Sequence, residues 1–166
     1  MDLVQLKKAI SNLITQDQAD LKEFRKGSLS LIRINSNIKN RNEKIRKILS
    51  GQIFPGKSLG ETTYKSFIAL VLHSDDDEIM EGYLLKSRKM EPKEVDKSLE
   101  GYLIDKLLIK QGKPQEYGTQ YKDVSPNGTI NFFPIEKVEE VDKRRNEIGL
   151  PSLDEYRRTI LENRGT

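Results

Sequence analysis

The segment Gly112-Lys-Pro-Gln-Glu-Tyr-Gly-Thr-Gln120 separates a helical part of the chain from a short β-prone part. Seven of its nine residues are glycine, proline or side chains that are polar without charge. Such residues make poor core and poor solvated surface, but they present hydrogen-bonding groups from a fixed loop. The segment therefore predicts a polar loop that orients a ligand. Its candidate ligand-binding residues are Gln115, Tyr117, Thr119 and Gln120.

Upstream of this loop, apolar residues recur with the spacing of amphipathic helices. Predicted helices cover 2–25, 37–50, 64–73, 78–90 and 93–110. Ser58 and Glu61 have the spacing of a capping box before the third helix, and 75–77 offers aspartate N-caps for the fourth. The residues 54–58, Phe-Pro-Gly-Lys-Ser, predict a loop.

Downstream of the loop the pattern changes. Two β-prone runs, 117–124 and 129–134, flank the turn signal Ser125-Pro-Asn-Gly128, which predicts a hairpin. A helix over 137–148 follows, and Ser152 with Glu155 forms a second capping box for a last helix that ends near residue 163.

The predicted fold is therefore mainly α: a compact helical bundle of about six or seven helices with one small late β-hairpin. We expect 1–166 to be a single domain. Its parts are N-terminal helices (1–50), central helices (51–116), the hairpin (117–135) and C-terminal helices (136–166).

Composition excludes several classes of function. The 166 residues carry 29 basic and 26 acidic side chains, and a net charge of +3 does not require a polyanionic partner. The chain has no cysteine, which excludes disulfides, thiol catalysis and thiolate metal sites. It has no long apolar run and no signal-peptide order at its start, so we expect a cytoplasmic protein of a bacterium or phage, without membrane contact.

Ionisable residues interrupt the apolar stripes of several predicted helices. Asp17 falls in the stripe of the first helix, Lys106 in that of the fifth and Arg145 in that of the sixth. A lone buried charge costs on the order of several kcal/mol, so each must meet a partner, water or a ligand. If the helices form one bundle, these residues and His73 meet in one cleft. The alternative is a structural ion network, with Asp17 neutralised by a base and Asp142 paired with Arg145.

His73 ends the most apolar helix, where it could act as a general acid or base. The alternative is a ring that only bonds a free carbonyl at the helix end. Three adjacent aspartates at 75–77 cannot all face one ion on a helix, so we predict no metal site. The basic run 39–47 has no aromatic residues for base stacking, so it predicts a solvated helix face rather than nucleic-acid binding.

Three strings of the sequence are distinctive: Gly112–Gln120, Val141-Asp-Lys-Arg-Arg145 and Gly149-Leu-Pro-Ser-Leu-Asp-Glu-Tyr156. Together with weaker strings upstream, they resemble one bacterial family, catalogued as domain of unknown function 6624. Departures from the family pattern are Phe54 for Trp, Leu72 for Gln and Lys106 for Arg. The resemblance implies no reaction. It does cover the polar positions Asp17, His73, Asp105, Lys106, Tyr117, Gln120, Asp142 and Arg145.

These observations predict a polar cleft that binds a small anionic ligand, for example a phosphorylated or nucleotide-like one, and they leave open whether the protein acts on it. His73 and Asp105 are the candidate catalytic residues. The ligand-binding candidates outside the loop are Asp17, Lys106, Arg144 and Arg145. Whether the protein is an enzyme, and which cofactor it uses, stays open. The alternative function is a protein-interaction module, an inhibitor, immunity or anti-defence partner, which contacts its target through an outward phenylalanine, Phe132 or Phe133, on the hairpin.

Overall fold

The computed structural model describes residues 1–54 and 56–163, and the chain divides into two compact units, Met1–Asp96 and Lys97–Thr166. Seven α-helices and one two-stranded antiparallel hairpin make up these described residues. The predicted mainly α fold with a small late hairpin is confirmed. That 1–166 forms a single domain stays a prediction.

Unit 1 (1–96) is built from four helices. They are α1 (Leu3–Arg25), α2 (Leu31–Leu49), α3 (Glu61–His73) and α4 (Asp77–Ser87). α1 packs against α2 and α3, and α4 packs against the same two helices. Asp2 begins α1 with a capping box, because its side chain accepts from Gln5 N–H while the Gln5 side chain accepts from Asp2 N–H.

The core of unit 1 lies where the apolar stripes of these four helices meet. Ile10 of α1, Ile45 of α2, Phe67 of α3 and Met80 of α4 are all almost fully buried. Asp17 follows the α1 stripe as predicted and is only 1% exposed. The apolar periodicity of the sequence therefore placed this carboxylate correctly inside the unit.

The starts of α2 and α3 differ from the prediction. α2 begins at Leu31 rather than 37, with Ser30 as the N-cap that accepts from Arg33 N–H. Its first turn exposes the apolar residues Leu31 and Ile32, so apolar positions there do not mark one buried face. Ser58 does not cap α3, because Lys57–Leu59 forms a 3-10 turn and the helix begins after Gly60. Pro55, within the predicted loop 54–58, lies outside the described residues.

The next boundary agrees with the expected aspartate cap, and the one after it differs from the prediction. Asp76 is the N-cap of α4, since its side chain accepts from Ile79 N–H at 3.1 Å. Pro92 begins a 3-10 turn, Pro92–Glu94, so the helix predicted from 93 starts only at Lys97.

Unit 2 (97–166, described to 163) contains three helices and the hairpin. They are α5 (Lys97–Lys110), β1 (Tyr121–Val124), β2 (Ile130–Phe132), α6 (Val141–Glu147) and α7 (Leu153–Glu162). β1 pairs with β2 in antiparallel register, with a bulge between Tyr121 and Asp123. The strands are shorter than predicted. A 3-10 turn, Val138–Glu140, replaces the first turn of the helix predicted from 137.

The capping box predicted for the last helix is present, with Ser152 and Glu155 exchanging hydrogen bonds at the start of α7. Residues 164–166 of the predicted C-terminal segment lie outside the described residues. Among the described helices, none has the length and apolar character needed to cross a membrane. The cytoplasmic location and the bacterial or phage source stay predictions.

Candidate functional site

Unit 1 contains a cluster of polar side chains around Asp17, which we call the Asp17 cluster: Asp17, Asp20, Asn37, Arg41 and His73. Asp17 and Asp20 lie on successive turns of α1, and Asn37 and Arg41 lie on successive turns of α2. His73 is the last residue of α3. Three helices therefore bring together groups that are far apart in sequence.

A short hydrogen bond joins His73 to Asp17, with 2.7 Å between Nδ1 and Oδ2. The Asp17 side chain is 2% exposed, whereas the His73 side chain is 38% exposed. Because a carboxylate can only accept, the ring hydrogen in this bond belongs to Nδ1. The neutral ring therefore carries its lone pair on Nε2. The buried carboxylate therefore fixes the orientation of the partly exposed imidazole.

Arg41 neutralises the buried carboxylate from its other side. Its guanidinium lies 3.1 Å from Asp17 Oδ1 and also forms an ion pair with Asp20. Asn37 Nδ2 donates to the second oxygen of Asp20 at 2.9 Å. Asp17 thus has a cation on one oxygen and the imidazole on the other, which satisfies a charge that would otherwise be costly to bury.

The turn that follows His73 is fixed by buried hydrogen bonds. Ser74 Oγ donates to Val71 O at 2.6 Å, and Asn42 Nδ2 donates to Ser74 O at 3.0 Å. Ser74 is almost fully buried. These contacts hold the C-terminal end of α3 against α2 and so limit where the imidazole can lie.

Sequence reasoning missed Arg41, which it treated as part of the solvated run 39–47. A signal was present, because Arg41 shares the buried stripe of α2 with Ile34, Ile45 and Ile48. Arg41 is only 6% exposed, so it belongs to the interior of unit 1 rather than to a solvated face.

The loop 112–120 of unit 2 wraps around Asp105 of α5. The Asp105 carboxylate, fully buried, accepts hydrogen bonds from the backbone N–H groups of Glu116, Tyr117 and Thr119 at 2.8, 2.9 and 2.8 Å. The Thr119 hydroxyl donates a fourth bond at 2.9 Å. One carboxylate therefore fixes most of the loop backbone.

Gln115 closes the loop from the other side. Its Nε2 donates to Gln120 O at 2.9 Å and to Phe133 O at 3.0 Å, while its Oε1 accepts from Gln120 N–H at 2.7 Å. Gln120 Nε2 in turn donates to the Thr119 hydroxyl at 3.1 Å. Gln115 is fully buried, so its amide joins the loop to the hairpin.

The two arginines of α6 donate to carbonyl groups of the same loop. Arg145 is fully buried, and donates to Tyr117 O and Pro151 O, both at 2.6 Å. Its guanidinium also lies 5.0 Å from the centre of the Tyr156 ring. Arg144 Nε donates to Glu116 O at 2.8 Å. Both residues therefore stabilise the backbone conformation of the loop.

The alternative pairing of Asp142 with Arg145 is not formed. Asp142 Oδ1 instead accepts from the backbone N–H of Leu153 at 2.7 Å and so helps to begin α7. Arg145 satisfies most of its hydrogen-bonding capacity on carbonyl oxygens, and one terminal nitrogen is buried without a hydrogen-bond partner.

Burial perturbs several titratable groups of unit 2. It raises the pKa values of Tyr117 and Tyr156, and it is the largest cause of both shifts. Burial also raises the pKa of Tyr102, against a smaller effect of its hydrogen bond with Tyr156. It lowers the pKa of Arg145, against the attraction of the neighbouring tyrosines and carboxylates. These groups form an interior polar layer in which a change of charge is costly.

The predicted site residues fall in two groups. Asp17 and His73 lie in unit 1 and contact each other. The others lie in unit 2: Asp105, Lys106, Gln115, Tyr117, Thr119, Gln120, Arg144 and Arg145. Lys106 is half-buried on α5, and the other seven join the hydrogen-bond network of the loop. A cleft shared by both groups, and ligand or catalytic roles for the unit 2 residues, stay predictions.

The hairpin phenylalanines are both half-buried. The Phe132 ring packs against the rings of Tyr121 and Tyr156, at centroid distances of 6.4 and 6.3 Å, and Arg157 lies over it. Lys122 lies 5.5 Å from the Phe133 ring. These contacts give both rings a packing role in unit 2. An interaction role for the hairpin stays a prediction.

The network of loop 112–120 uses the residues through which the sequence resembles a known family, and comparison with family models tests that resemblance. The model of a family of unknown function, DUF6624, matches residues 5–166. The chain belongs to this family. No curated protein and no solved structure matches the DUF6624 chain. Within its described residues, no group of three His, Asp or Glu side chains is placed to hold a metal ion.

Proposed function

We propose that unit 1 binds a small polar anion and exchanges a proton with it through Nε2 of His73. The observation that carries this proposal is the pairing of a buried carboxylate with a partly exposed imidazole, at 2.7 Å between Asp17 Oδ2 and His73 Nδ1. An imidazole that only bonds a carbonyl at a helix end would not need a buried ion network behind it.

The proton transfer follows from this geometry. Asp17 holds the hydrogen on Nδ1, so Nε2 accepts a proton from an O–H or N–H group of the ligand, or from water that attacks it. The resulting imidazolium is stabilised by the Asp17 carboxylate. The reverse transfer from Nε2 makes His73 a general acid. Arg41 is a positioning residue, because it holds the second oxygen of Asp17 and limits rotation of the carboxylate.

The anionic character of the ligand rests on α2. Lys39, Lys44 and Lys47 of this helix form no ion pair within the described part of the chain. Arg41 on the same helix is compensated by two carboxylates. Against the three lysines stand Glu43 of the same helix and the one negative charge that Asp17 and Asp20 leave after pairing with Arg41. One net positive charge remains beside the Asp17 cluster, and it raises the local concentration of small anions.

The experiment exploits the single histidine of the chain. Imidazole signals in an NMR spectrum belong to His73, so nucleotides, sugar phosphates and dicarboxylates can be screened for their effect on them. We expect at least one compound class to shift these signals saturably and to raise the melting temperature. His73→Gln and Asp17→Asn should abolish the stabilisation by the ligand.

Lys143→Gln, at an exposed position of α6, is the matched control and should keep the response. If no anion shifts the His73 signals in the folded protein, or if Asp17→Asn binds as the parent does, the proposal is wrong. Circular dichroism of both variants separates loss of binding from loss of fold.

A further inference from the structure

Two adjoining cavities lie between α1 and α2 of unit 1. One, of about 250 Å³, is lined by Asp20, Asn37 and Asn40 among others, and it does not include His73. The other, of about 300 Å³, is lined by apolar residues including Leu13 and Ile48. Gln16 and Lys44 line both cavities, so the two form one continuous groove, which we call the α1–α2 groove.

The walls of the α1–α2 groove are two helical stripes. Positions 9, 12, 13, 16 and 20 of α1 repeat at intervals of three and four residues, as do positions 37, 40, 41, 44, 47 and 48 of α2. At a rise of about 1.5 Å per residue, each stripe is roughly 16 Å long. An extended peptide of about five residues has the same length.

Carboxamide side chains line this groove on both sides. Asn12 and Gln16 lie on the α1 wall and Asn40 on the α2 wall. Within the described residues, none of these three side chains makes a hydrogen bond to the protein. A carboxamide both donates and accepts, as a peptide group does. Asn12 and Gln16 are about 6 Å apart along the helix, close to the repeat of about 6.6 Å between like-facing groups of an extended chain.

The charge of the groove is positive. Arg41 is compensated by Asp17 and Asp20. Lys44 and Lys47, one turn apart on the α2 wall, form no ion pair in the described part of the chain. Two uncompensated ammonium groups favour carboxylate side chains on whatever occupies the groove.

We propose that the α1–α2 groove binds a short extended segment of an acidic protein partner. The carboxamides pair with its peptide groups, Lys44 and Lys47 pair with acidic side chains, and the apolar end near Leu13 and Ile48 takes one aliphatic side chain. A small amphiphilic anion would use the lysines and the apolar end, but it would leave the carboxamides of the polar end without a role. This inference does not depend on proton transfer by His73.

The test is an NMR titration with a pool of capped hexapeptides in which Asp or Glu alternates with neutral residues and one end is leucine. We expect saturable shifts confined to the backbone amides of 9–20 and 37–48. Lys44→Glu should weaken binding about tenfold or more, because it replaces an attraction with a repulsion. Lys143→Glu makes the same change of charge in unit 2 and should have no effect.

Two further variants separate the possible results. Gln16→Leu, at an exposed position of α1, should weaken peptide binding several-fold, and His73→Gln should leave it unchanged. The proposal would be overturned if a peptide pool with lysine in place of the acidic residues bound equally well. It would also be overturned if the acidic peptides shifted amide signals outside the groove, or shifted no signals. Binding of laurate or inorganic phosphate with no binding of the acidic peptides would assign the groove to a small anion, and would also overturn it.

Discussion

Oδ2 of Asp105 accepts two hydrogen bonds from Thr119, one from its backbone N–H at 2.8 Å and one from its hydroxyl at 2.9 Å. Oδ1 of the same carboxylate accepts two more, from the backbone of Glu116 and Tyr117. A buried charge on α5 therefore takes the place of regular backbone pairing for the loop 112–120. Four hydrogen bonds of this loop therefore depend on the Asp105 side chain.

Asp105→Asn should destabilise the protein by about 3 kcal/mol or more. The amide group keeps one acceptor oxygen but points N–H hydrogens at buried N–H donors, which then lack a partner. The decrease in the urea midpoint, at unchanged m-value, measures this loss. Glu147→Gln, an exposed position on α6, is the control and should change stability by no more than about 0.5 kcal/mol. A loss below about 1 kcal/mol for Asp105→Asn would contradict the role assigned to this carboxylate.

Gly118→Ala should cost about 2 kcal/mol, roughly 1 kcal/mol more than Gly112→Ala. Both glycines have positive φ, at 66° and 71°, so both substitutions strain the backbone. A Cβ at position 118 would also lie 2.7 Å from Cδ1 of Ile135, whereas a Cβ at 112 meets nothing within 4 Å.

A double-mutant cycle checks the cause of this difference. Ile135→Val removes the Cδ1 atom that a Cβ at position 118 would meet, so Gly118→Ala should cost less in the Ile135→Val background. Urea unfolding of the parent, the two single variants and the double variant gives the coupling free energy between positions 118 and 135. If Gly118→Ala and Gly112→Ala cost the same, the contact with Ile135 does not restrict this position.

For the loop 112–120, the sequence predicts the kind of structure but not the partners of its polar groups. Its glycines, its proline and its uncharged polar residues predicted a fixed hydrogen-bonding loop, and the structure contains one. The sequence could not show that these groups bond to each other and to Asp105, because a loop that presents groups to a ligand has the same composition. The direction of each side chain depends on α5 and α6, which local sequence does not specify.

In unit 1, the period of α1 was enough to bury Asp17. The partner of that carboxylate was harder to predict, because Arg41 lies in a basic run, 39–47, whose composition is typical of a solvated helix face. A shift of one or two residues along the helix, at about 100° per residue, decides whether such an arginine faces water or the core. The start of α2 at Leu31 was missed for a related reason, since its first turn exposes Leu31 and Ile32.

Stability should fall as the pH rises above about 10. Burial raises the pKa values of Tyr117 and Tyr156 in the folded protein, and tyrosine in an unfolded chain loses its proton near pH 10. Above that pH the unfolded state binds fewer protons than the folded state, so unfolding becomes more favourable. Below it both states are protonated, and stability is unaffected by these groups.

Tyr156→Phe should reduce the loss of stability at high pH, although it also removes the hydrogen bond from the Tyr156 hydroxyl to Thr119 O. Thr159→Val, at an exposed position of α7, removes a hydroxyl that donates to the Glu155 carbonyl but removes no titratable group. It is the control and should leave the pH dependence unchanged. Urea midpoints between about pH 8 and pH 11 provide the comparison. If the urea midpoint falls equally steeply with pH in Tyr156→Phe and in the parent, the Tyr156 hydroxyl does not contribute to the loss of stability at high pH.

Asp17→Asn should destabilise unit 1 by about 3 kcal/mol, and Asp20→Asn should cost clearly less. Both carboxylates contact Arg41, but the Asp17 side chain is 2% exposed and the Asp20 side chain is 17% exposed, so water compensates part of the loss caused by Asp20→Asn.

Asp17→Asn should also change which nitrogen of the His73 ring carries the hydrogen. In the parent the neutral imidazole should carry its hydrogen on Nδ1, and in the variant the two nitrogens should share it. The ¹⁵N shifts of the single histidine, recorded in alkaline solution, report this difference directly. A parent ring protonated on Nε2 would contradict the orientation by Asp17, even if the ion network stabilises the fold as expected.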